Sequence, residues 1–351
     1  MYQKSLLQIS NEAKEPSFPP TKFMGSKQNL VNFIFEKISD LEYDTVFDAF
    51  SGSGVVAYEF KKRKKQVTTN DFLHFSYLTS KALIENNNNV LDDSTLEKLL
   101  EHRTDAPQFV RSLYSNRFFK EDECIFLDSL WKNIQELKNE YDRAIAIGAA
   151  CRACQKKRPR GIFTVIGQKG WDGRKDLKLS LQEQFINAVF LFNRAIFDNG
   201  RKNTAIWSDI LKVNDQSFDL VYLDPPYWSP LSDNDYVRRY HFIEGYSLYW
   251  NNLTIDMKTK SKKFKSYNSS FSNRESSIQA LKLLFEKYHK SIIVVSYASN
   301  SYPTKQEMVS LLEKTKQHVS VFEVSHRYSF ANQTNINRKN SVKEYVFIGS
   351  D

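Results

Sequence analysis

Four consecutive residues, Asp224-Pro225-Pro226-Tyr227, carry the clearest chemical signal in the sequence. They follow an apolar run at residues 218–223 that is typical of a buried parallel strand, and the two prolines end that strand in a stiff turn. The turn offers a carboxylate, a rigid carbonyl and an aromatic ring. These groups suit methyl transfer to a planar exocyclic amine, because the oxygens can accept its two hydrogens while the ring stacks. A plain strand followed by a turn is the alternative.

A second signal lies upstream, where a strand-like run ends at Asp48 and leads through Phe50 into a glycine-rich turn. Gly52 and Gly54 allow the backbone to approach a ligand closely. The spacing matches neither a phosphate-binding loop, which closes with Gly-Lys-Ser/Thr, nor a dinucleotide Gly-x-Gly-x-x-Gly turn. The next predicted strand ends at Asp71, whose carboxylate is placed to bind ribose hydroxyls or to cap a helix.

Composition limits the class of protein. The chain has 351 residues, of which 41% are hydrophobic and 26% charged, as expected for a globular protein with one large domain or two. The net charge of +9 favours a polyanionic partner. Three cysteines do not make a disulfide framework, which predicts a reducing cytoplasm. We expect no membrane span and no metal site, since Cys151 and Cys154 lack a second cysteine pair or a nearby histidine.

Residues 81–203 interrupt the alternation of strands and helices with amphipathic helical patterns. Two basic clusters in this stretch flank a β-branched run at residues 162–166, which indicates a hairpin or loop directed at a phosphate backbone; a solvated surface is the alternative. The predicted phosphate contacts are Lys156, Lys157, Arg158, Arg160, Lys169 and Arg174, with Arg238 and Arg239 as a further basic pair. The candidate base readers are Thr164, Gln168, Lys169 and Arg174.

The alternation resumes with a strand-like run at residues 204–207, after which Asp209 is expected at the same sheet edge as Asp224. Polar residues 258–274 predict a mobile loop. A helix, a buried strand near residues 291–297 and two further strands are then expected to complete the sheet.

Taken in order, these motifs resemble the Dam-type, α-ordered N6-adenine DNA methyltransferases. The resemblance rests on residues 22–27, the turn at residues 48–54, Asp71 and the turn at residues 224–227. It implies an α/β fold with a Rossmann-like, seven-stranded methyltransferase sheet. The catalytic domain is expected at residues 1–80 and 204–351, and a mainly helical target-recognition domain is expected to be inserted at residues 81–203.

The resemblance also implies the cofactor and the role of each residue. S-adenosyl-L-methionine is expected to be held by Phe23, Lys27, Asp48, Phe50, Gly52, Gly54, Asp71, Asp209 and Asp224. The catalytic residues are expected to be Asp224, Pro225, Pro226 and Tyr227, acting on an adenine flipped out of double-stranded DNA. Members of the family more often have Trp at the Phe23 position and a second Gly at the Ser26 position.

Other functions stay open from the sequence. N4-cytosine methylation uses nearly the same turn, usually with Ser at the Asp224 position. A non-catalytic DNA-binding protein would be expected to have lost the turn, which is intact here. RNA or protein methylation leaves the basic insertion unexplained, and C5-cytosine methylation is excluded because no proline precedes any of the three cysteines. A cognate restriction endonuclease is a further candidate partner.

Overall fold

The computed structural model describes residues 15–20, 23–158, 161–164, 175–227, 235–267, 269–327 and 341–351. The chain divides into two compact units. The helical unit consists of Met1–Ser26, Leu73–Gly200 and Val237–Ser266. The sheet unit consists of Lys27–Phe72, Arg201–Tyr236 and Tyr267–Asp351. The structure thus groups Val237–Ser266 with the helices, whereas the sequence had placed all of residues 204–351 with the sheet. Target recognition by residues 81–203 stays a prediction.

The sheet unit is built on a mixed sheet that has seven strands among the described residues, in the order β3-β2-β1-β4-β5-β7-β6. The strands are β1 Thr45–Asp48, β2 Gln66–Asp71, β3 Thr204–Trp207, β4 Leu220–Leu223, β5 Ile292–Ala298, β6 His318–Arg327 and β7 Ser341–Ser350. Neighbours among β1 to β5 pair in parallel, and β7 is antiparallel to both β5 and β6. The predicted α/β, Rossmann-like fold is confirmed.

Burial explains why the central strands form where they do. All four residues of β4 are buried, as are the last three of β1, so these short apolar runs suit a sheet that is covered on both faces. Phe47, Val221 and Val295 belong to one buried cluster that also includes Leu281, Leu284 and Phe285 of the helix Arg274–Lys287. The other helices of the sheet unit are Val31–Lys37, Val55–Lys62 and Lys305–Leu312.

The helical unit contains most of the remaining helices. They are His74–Ser80, which continues as a π-helix over Lys81–Glu85, then Asp93–Leu100, Phe109–Tyr114, Glu121–Glu136, Glu140–Lys156, Lys175–Lys178, Leu181–Ala195 and His241–Leu248. The short helix Tyr236–Arg239 crosses the boundary between the two units. Side-chain caps begin several of these helices; for example, Asp92 accepts a hydrogen bond from the Thr95 N–H. No helix in the described part of the chain is both long and apolar enough to cross a membrane.

Residues 254–265 form a hairpin, where the sequence predicted only a loop at residues 258–274; the predicted mobility of that stretch stays a prediction. Ile255 and Phe264 make an antiparallel bridge. The Asp256 N–H donates to the Lys263 carbonyl at 2.7 Å, and the Lys265 N–H donates to the Thr254 carbonyl at 3.1 Å. Phe264, which is 3% exposed, anchors one strand of the hairpin, a contact that the polar composition of the stretch did not indicate.

Asp219 joins the amino ends of β1 and β4. Its Oδ2 accepts hydrogen bonds from the N–H groups of Asp44 and Thr45 at 2.9 and 2.8 Å, and from the Thr45 hydroxyl at 2.9 Å. The Thr45 N–H and then the Asp44 N–H lower the pKa of Asp219, because they stabilise the ionised carboxylate.

We predict that Asp219→Ala lowers the free energy of unfolding by about 1–2 kcal/mol at pH 7, because three donors lose an exposed carboxylate acceptor. The folded-state pKa lies below the ordinary value of 3.8, so this stabilisation is present above that value and is lost as the pH falls through the folded-state pKa. Urea unfolding curves measure it. Asp215→Ala is the control, since Asp215 is 93% exposed and has one ion pair, with Lys287. Equal losses for the two variants would contradict the role of Asp219.

Candidate active site

Three carboxylates lie at the carboxyl ends of neighbouring parallel strands. Asp48 is the last residue of β1, Asp71 is the last residue of β2, and Asp224 directly follows β4. The register places Asp48 opposite Tyr222 in β4, two residues before Asp224. Because parallel strands end together, the sheet brings to one edge three acids that lie far apart in the sequence.

Asp224 forms an ion pair with Lys27. The Lys27 ammonium lies 2.8 Å from Asp224 Oδ1, and the two side chains are 2% and 19% exposed, respectively. Burial raises the pKa of Asp224, whereas the charge and hydrogen bond of Lys27 and the hydroxyl of Ser296 lower it. Lys27 therefore stabilises the ionised form of a carboxyl group that burial alone would favour in its protonated form.

Lys27 also fixes the aromatic residue of the same turn. Its ammonium donates to the Tyr227 hydroxyl at 3.3 Å. The Tyr227 ring meets Tyr297 of β5 edge-on, with centroids 5.0 Å apart and an interplanar angle of 68°. Pro225 is buried and Pro226 is half-buried, so the turn itself is packed. The structure thus brings together all four predicted catalytic residues and Lys27.

One oxygen of the buried Asp48 carboxylate is unsatisfied. The residue is 1% exposed, and its Oδ1 has no hydrogen-bond partner within the described residues. Desolvation, followed by the charges of Asp224 and Asp71, raises its pKa well above the ordinary range. Buried polar atoms are nearly always paired, so this oxygen marks a position where a bound donor or cation is expected.

The glycine turn is shaped by the end of β2. Gly52 and Gly54 adopt φ values of 49° and 83°, in the left-handed region that favours glycine. The Gly52 N–H donates to Asp71 Oδ2 at 2.7 Å. The side-chain amide of Asn70 donates to the Ala49 carbonyl at 3.2 Å. Asp71 therefore holds the turn in place, a contact that its sequence position had not indicated.

The helix-cap alternative for Asp71 is not supported by the structure. The helix His74–Ser80 begins at Leu73, which gives no side-chain cap. The carboxylate of Glu244 instead accepts hydrogen bonds from the N–H groups of His74 and Phe75, at 3.0 and 3.2 Å. Both partners belong to the helical unit, and this contact could not be predicted from the sequence because 170 positions separate His74 from Glu244.

Two further predicted cofactor residues lie near strand ends of the sheet unit. Phe50 packs edge-on against Phe271, with ring centroids 5.2 Å apart. Asp209 follows β3, and its Oδ1 accepts a hydrogen bond from the Leu211 N–H at 3.0 Å, which caps the 3₁₀ helix Ile210–Lys212. Both residues have a structural contact, and their roles in cofactor binding stay predictions.

Phe23 lies in the helical unit, within a cluster of aromatic side chains. Its ring stacks on Tyr240, with centroids 5.0 Å apart, and it also contacts Phe75 at 6.1 Å. The Tyr240 hydroxyl accepts a hydrogen bond from the Met24 N–H at 2.6 Å, and the Arg239 guanidinium donates to the Met24 sulfur at 3.0 Å. The cluster fixes the backbone beside Phe23, and it gives Arg239 a contact within the protein.

The basic cluster at the end of the helix Glu140–Lys156 is largely occupied by internal contacts. Lys156 pairs with Asp176, and Lys157 pairs with Glu123, each at 2.8 Å. Arg158 is 3% exposed; it donates to the carbonyls of Phe118 and Thr164 at 2.9 and 2.8 Å, and burial lowers its pKa to about 10. These contacts disfavour the predicted phosphate contacts of Lys157 and Arg158, because both side chains would first have to leave buried partners.

The other predicted DNA contacts divide into two groups. Arg238 and Thr164 are exposed. Arg160, Gln168, Lys169 and Arg174 lie outside the described residues.

The described residues contain no group of three or more His, Cys, Asp or Glu side chains arranged to hold a metal ion, and all three cysteines are buried and free.

We predict that Asp224→Ala lowers the free energy of unfolding by about 2–4 kcal/mol, because it leaves the buried Lys27 ammonium without its carboxylate. The double variant Lys27→Met/Asp224→Ala removes both charges and should recover at least half of that loss. Urea unfolding of the wild type, both single variants and the double variant measures the coupling. A double variant as unstable as the sum of the two single losses would contradict the importance of the pair.

Comparisons with known proteins agree with this geometry. Residues 23–301 match the family model described as D12 class N6 adenine-specific DNA methyltransferase. The chain is 27% identical to the type II methyltransferase M2.HphI of Haemophilus parahaemolyticus, over 91% of this chain and 95% of that protein. It is 29% identical to the type II methyltransferase M.FokI of Planomicrobium okeanokoites, over 92% of this chain and 54% of that protein. It is 23% identical to the type II methyltransferase M.NlaIII of Neisseria lactamica, over 93% of this chain and 98% of that protein. The resemblance inferred from the motifs is confirmed.

Proposed function

Because the chain belongs to the D12 class N6 adenine-specific DNA methyltransferases, we propose that the edge with Asp48, Asp71 and Asp224 is its active site. The enzyme transfers a methyl group to adenine in DNA, with a methyl donor of the S-adenosylmethionine type. The observation that carries the proposal is the position of Asp224, which is held by Lys27 directly beyond the end of β4.

The residues of the turn act on the target amine. The adenine amino group is a poor nucleophile because its lone pair is delocalised into the ring. Asp224 accepts one amine hydrogen and the Pro225 carbonyl accepts the other, which draws the nitrogen towards a tetrahedral geometry. A carboxylate has about four acceptor positions, so the Lys27 contact at Oδ1 leaves capacity for the amine. Tyr227, with its ring supported by Tyr297, stacks on the base.

The same edge suits S-adenosyl-L-methionine. When bound, this cofactor supplies an electrophilic methyl group on a positively charged sulfur. Three carboxylates and the unpaired Oδ1 of Asp48 favour a cationic ligand, and the Gly52 and Gly54 backbone permits close approach. We assign the ribose hydroxyls to Asp71 and the cofactor's adenine to Asp209, and we place Phe50 and Lys27 among the residues that hold the cofactor.

The chemistry of the target amine indicates how the DNA is bound, and the similar proteins indicate the biological role. An amine inside a duplex is out of reach, so we propose that the target adenine is flipped out of the helix, at a cost of a few kcal/mol. Several of the similar proteins are type II methyltransferases. We therefore propose a modification enzyme of a restriction-modification system, with a cognate endonuclease as its functional partner and the cytoplasm as its location.

We predict that the wild type places tritiated methyl groups from S-adenosyl-L-methionine onto N6 of adenine in mixed-sequence duplex DNA. Lys27→Met/Asp224→Ala should lose at least about 100-fold in kcat, because the amine loses its charged acceptor. Asp219→Ala serves as the control for general destabilisation and should keep near-normal kcat. Nucleoside analysis identifies the product. N4-methylcytosine, or near-normal turnover by the double variant, would overturn the proposal.

For the cofactor, we predict that Asp71→Ala weakens binding of S-adenosyl-L-methionine by about 1.5–3 kcal/mol, as expected for the loss of a charged hydrogen bond. Asp71→Asn keeps an oxygen for the Gly52 N–H and should recover part of the loss, which separates turn geometry from direct contact. Isothermal titration calorimetry measures both affinities. Unchanged affinity in Asp71→Ala would remove Asp71 from the cofactor site.

A further inference from the structure

The hairpin at residues 254–265, here called the lysine hairpin, carries an unusual concentration of positive charge. Its sequence holds Lys258, Lys260, Lys262, Lys263 and Lys265 against one acidic residue, Asp256. The Asp256 carboxylate is engaged within the turn, where Oδ1 accepts a hydrogen bond from the Lys258 N–H at 2.9 Å. The lysine hairpin therefore has a strong net positive charge that its own residues do not neutralise.

The backbone of the lysine hairpin is fixed to the helix Phe109–Tyr114 and the residues that follow it. The Tyr114 hydroxyl donates to the Lys262 carbonyl at 3.1 Å, and the Arg117 guanidinium donates to the Lys260 carbonyl. The Thr259 hydroxyl accepts a hydrogen bond from the Lys263 N–H at 3.0 Å and donates to the Asp256 carbonyl at 2.9 Å. Such anchors hold the lysine backbone in one conformation, which lowers the entropy cost of binding a ligand.

Three of the five lysines present their side chains to solvent. Lys258, Lys260 and Lys265 are exposed. Within the described ranges, no carboxylate lies within ion-pair distance of these three ammonium groups, whereas Lys156 and Lys287 each pair with an aspartate. By contrast, the Lys262 ammonium donates to the Met257 carbonyl at 2.5 Å. A hairpin whose backbone is anchored by hydrogen bonds and that carries three ammonium groups without an ion pair is suited to a polyanion.

We propose that the lysine hairpin binds the phosphate backbone of duplex DNA through Lys258, Lys260 and Lys265. The inference rests on the proposed function, since it takes the enzyme's own substrate as the polyanion. Lys ammonium groups bind phosphates as point charges and release condensed counterions, so such contacts add affinity and orientation without reading the base sequence. The surface lies outside residues 81–203, where the sequence had placed most of the DNA contacts.

The test is a salt titration of binding to a fluorescent mixed-sequence duplex, with the full-length chain and S-adenosyl-L-methionine present. The variant is Lys258→Ala/Lys260→Ala/Lys265→Ala. Each lost phosphate contact lowers the slope of log affinity against log salt by about 0.9, so the slope should fall by about 2–3 and low-salt affinity should fall at least about tenfold. A variant with arginine at the same three positions should keep the wild-type slope.

The matched control is Lys202→Ala/Lys290→Ala/Lys314→Ala, which removes the same charge from exposed lysines elsewhere. Its slope should change by less than about one unit. Equal slope changes in the two triple variants would overturn the proposal, because they would show an effect of net charge alone. An effect on competitor RNA or heparin but not on the duplex would also overturn it and would assign the surface to another polyanion.

Methylation of the same duplex by the wild type separates this inference from the proposed function. If the wild type methylates adenine and the lysine-hairpin variant keeps the wild-type slope, the hairpin inference fails and the function stands. If the salt slope of the wild type is steeper than that of the lysine-hairpin variant but the wild type transfers no methyl group, the proposed function fails instead. Thermal unfolding of each variant confirms that the fold is retained.

Discussion

The pairing of β1 between β2 and β4 is the constraint on which the site depends. Asp48, Asp71 and Asp224 share one edge only because Thr45 pairs with Gln66 and Val46 pairs with Leu220, in parallel. A slip of one residue would turn every side chain of β1 to the opposite face. Asp219 accepts hydrogen bonds from the N–H groups of Asp44 and Thr45 at the amino end of β1, and the Gly52 N–H donates to Asp71, which connects the turn after β1 to the end of β2.

The negative charge of the three carboxylates at this edge is only partly neutralised within the described residues. Lys27 is the cation that contacts Asp224, whereas Asp48 is surrounded by acids and has a raised pKa. A buried acidic edge of this kind is unfavourable for folding and favourable for a cationic ligand. A cation bound at this edge would therefore add stability to the fold, which is a common relation between stability and function.

The sequence was sufficient for features that depend on neighbouring residues. The Asp224 turn, the glycine turn and the order of strands and helices could be predicted, because prolines, glycines and apolar runs act locally. Contacts between distant residues could not be predicted. The ion pair of Lys27 with Asp224 and the capping of His74 by Glu244 each join residues that only the fold brings together. A basic cluster also does not reveal which of its members is buried, as the buried Arg158 shows.

The position of β7 has a consequence for the synthesis of the protein. This strand lies between β5 and β6, although both precede it in the chain. On the ribosome, β5 therefore presents an open edge until residues 341–350 have left the exit tunnel, and open edges pair readily with other chains. β6 and β7 are antiparallel partners along their full lengths, so they can pair first and dock against β5 together. Until β7 docks, the open edge of β5 therefore exposes unpaired backbone groups, a feature that favours aggregation of partly folded chains.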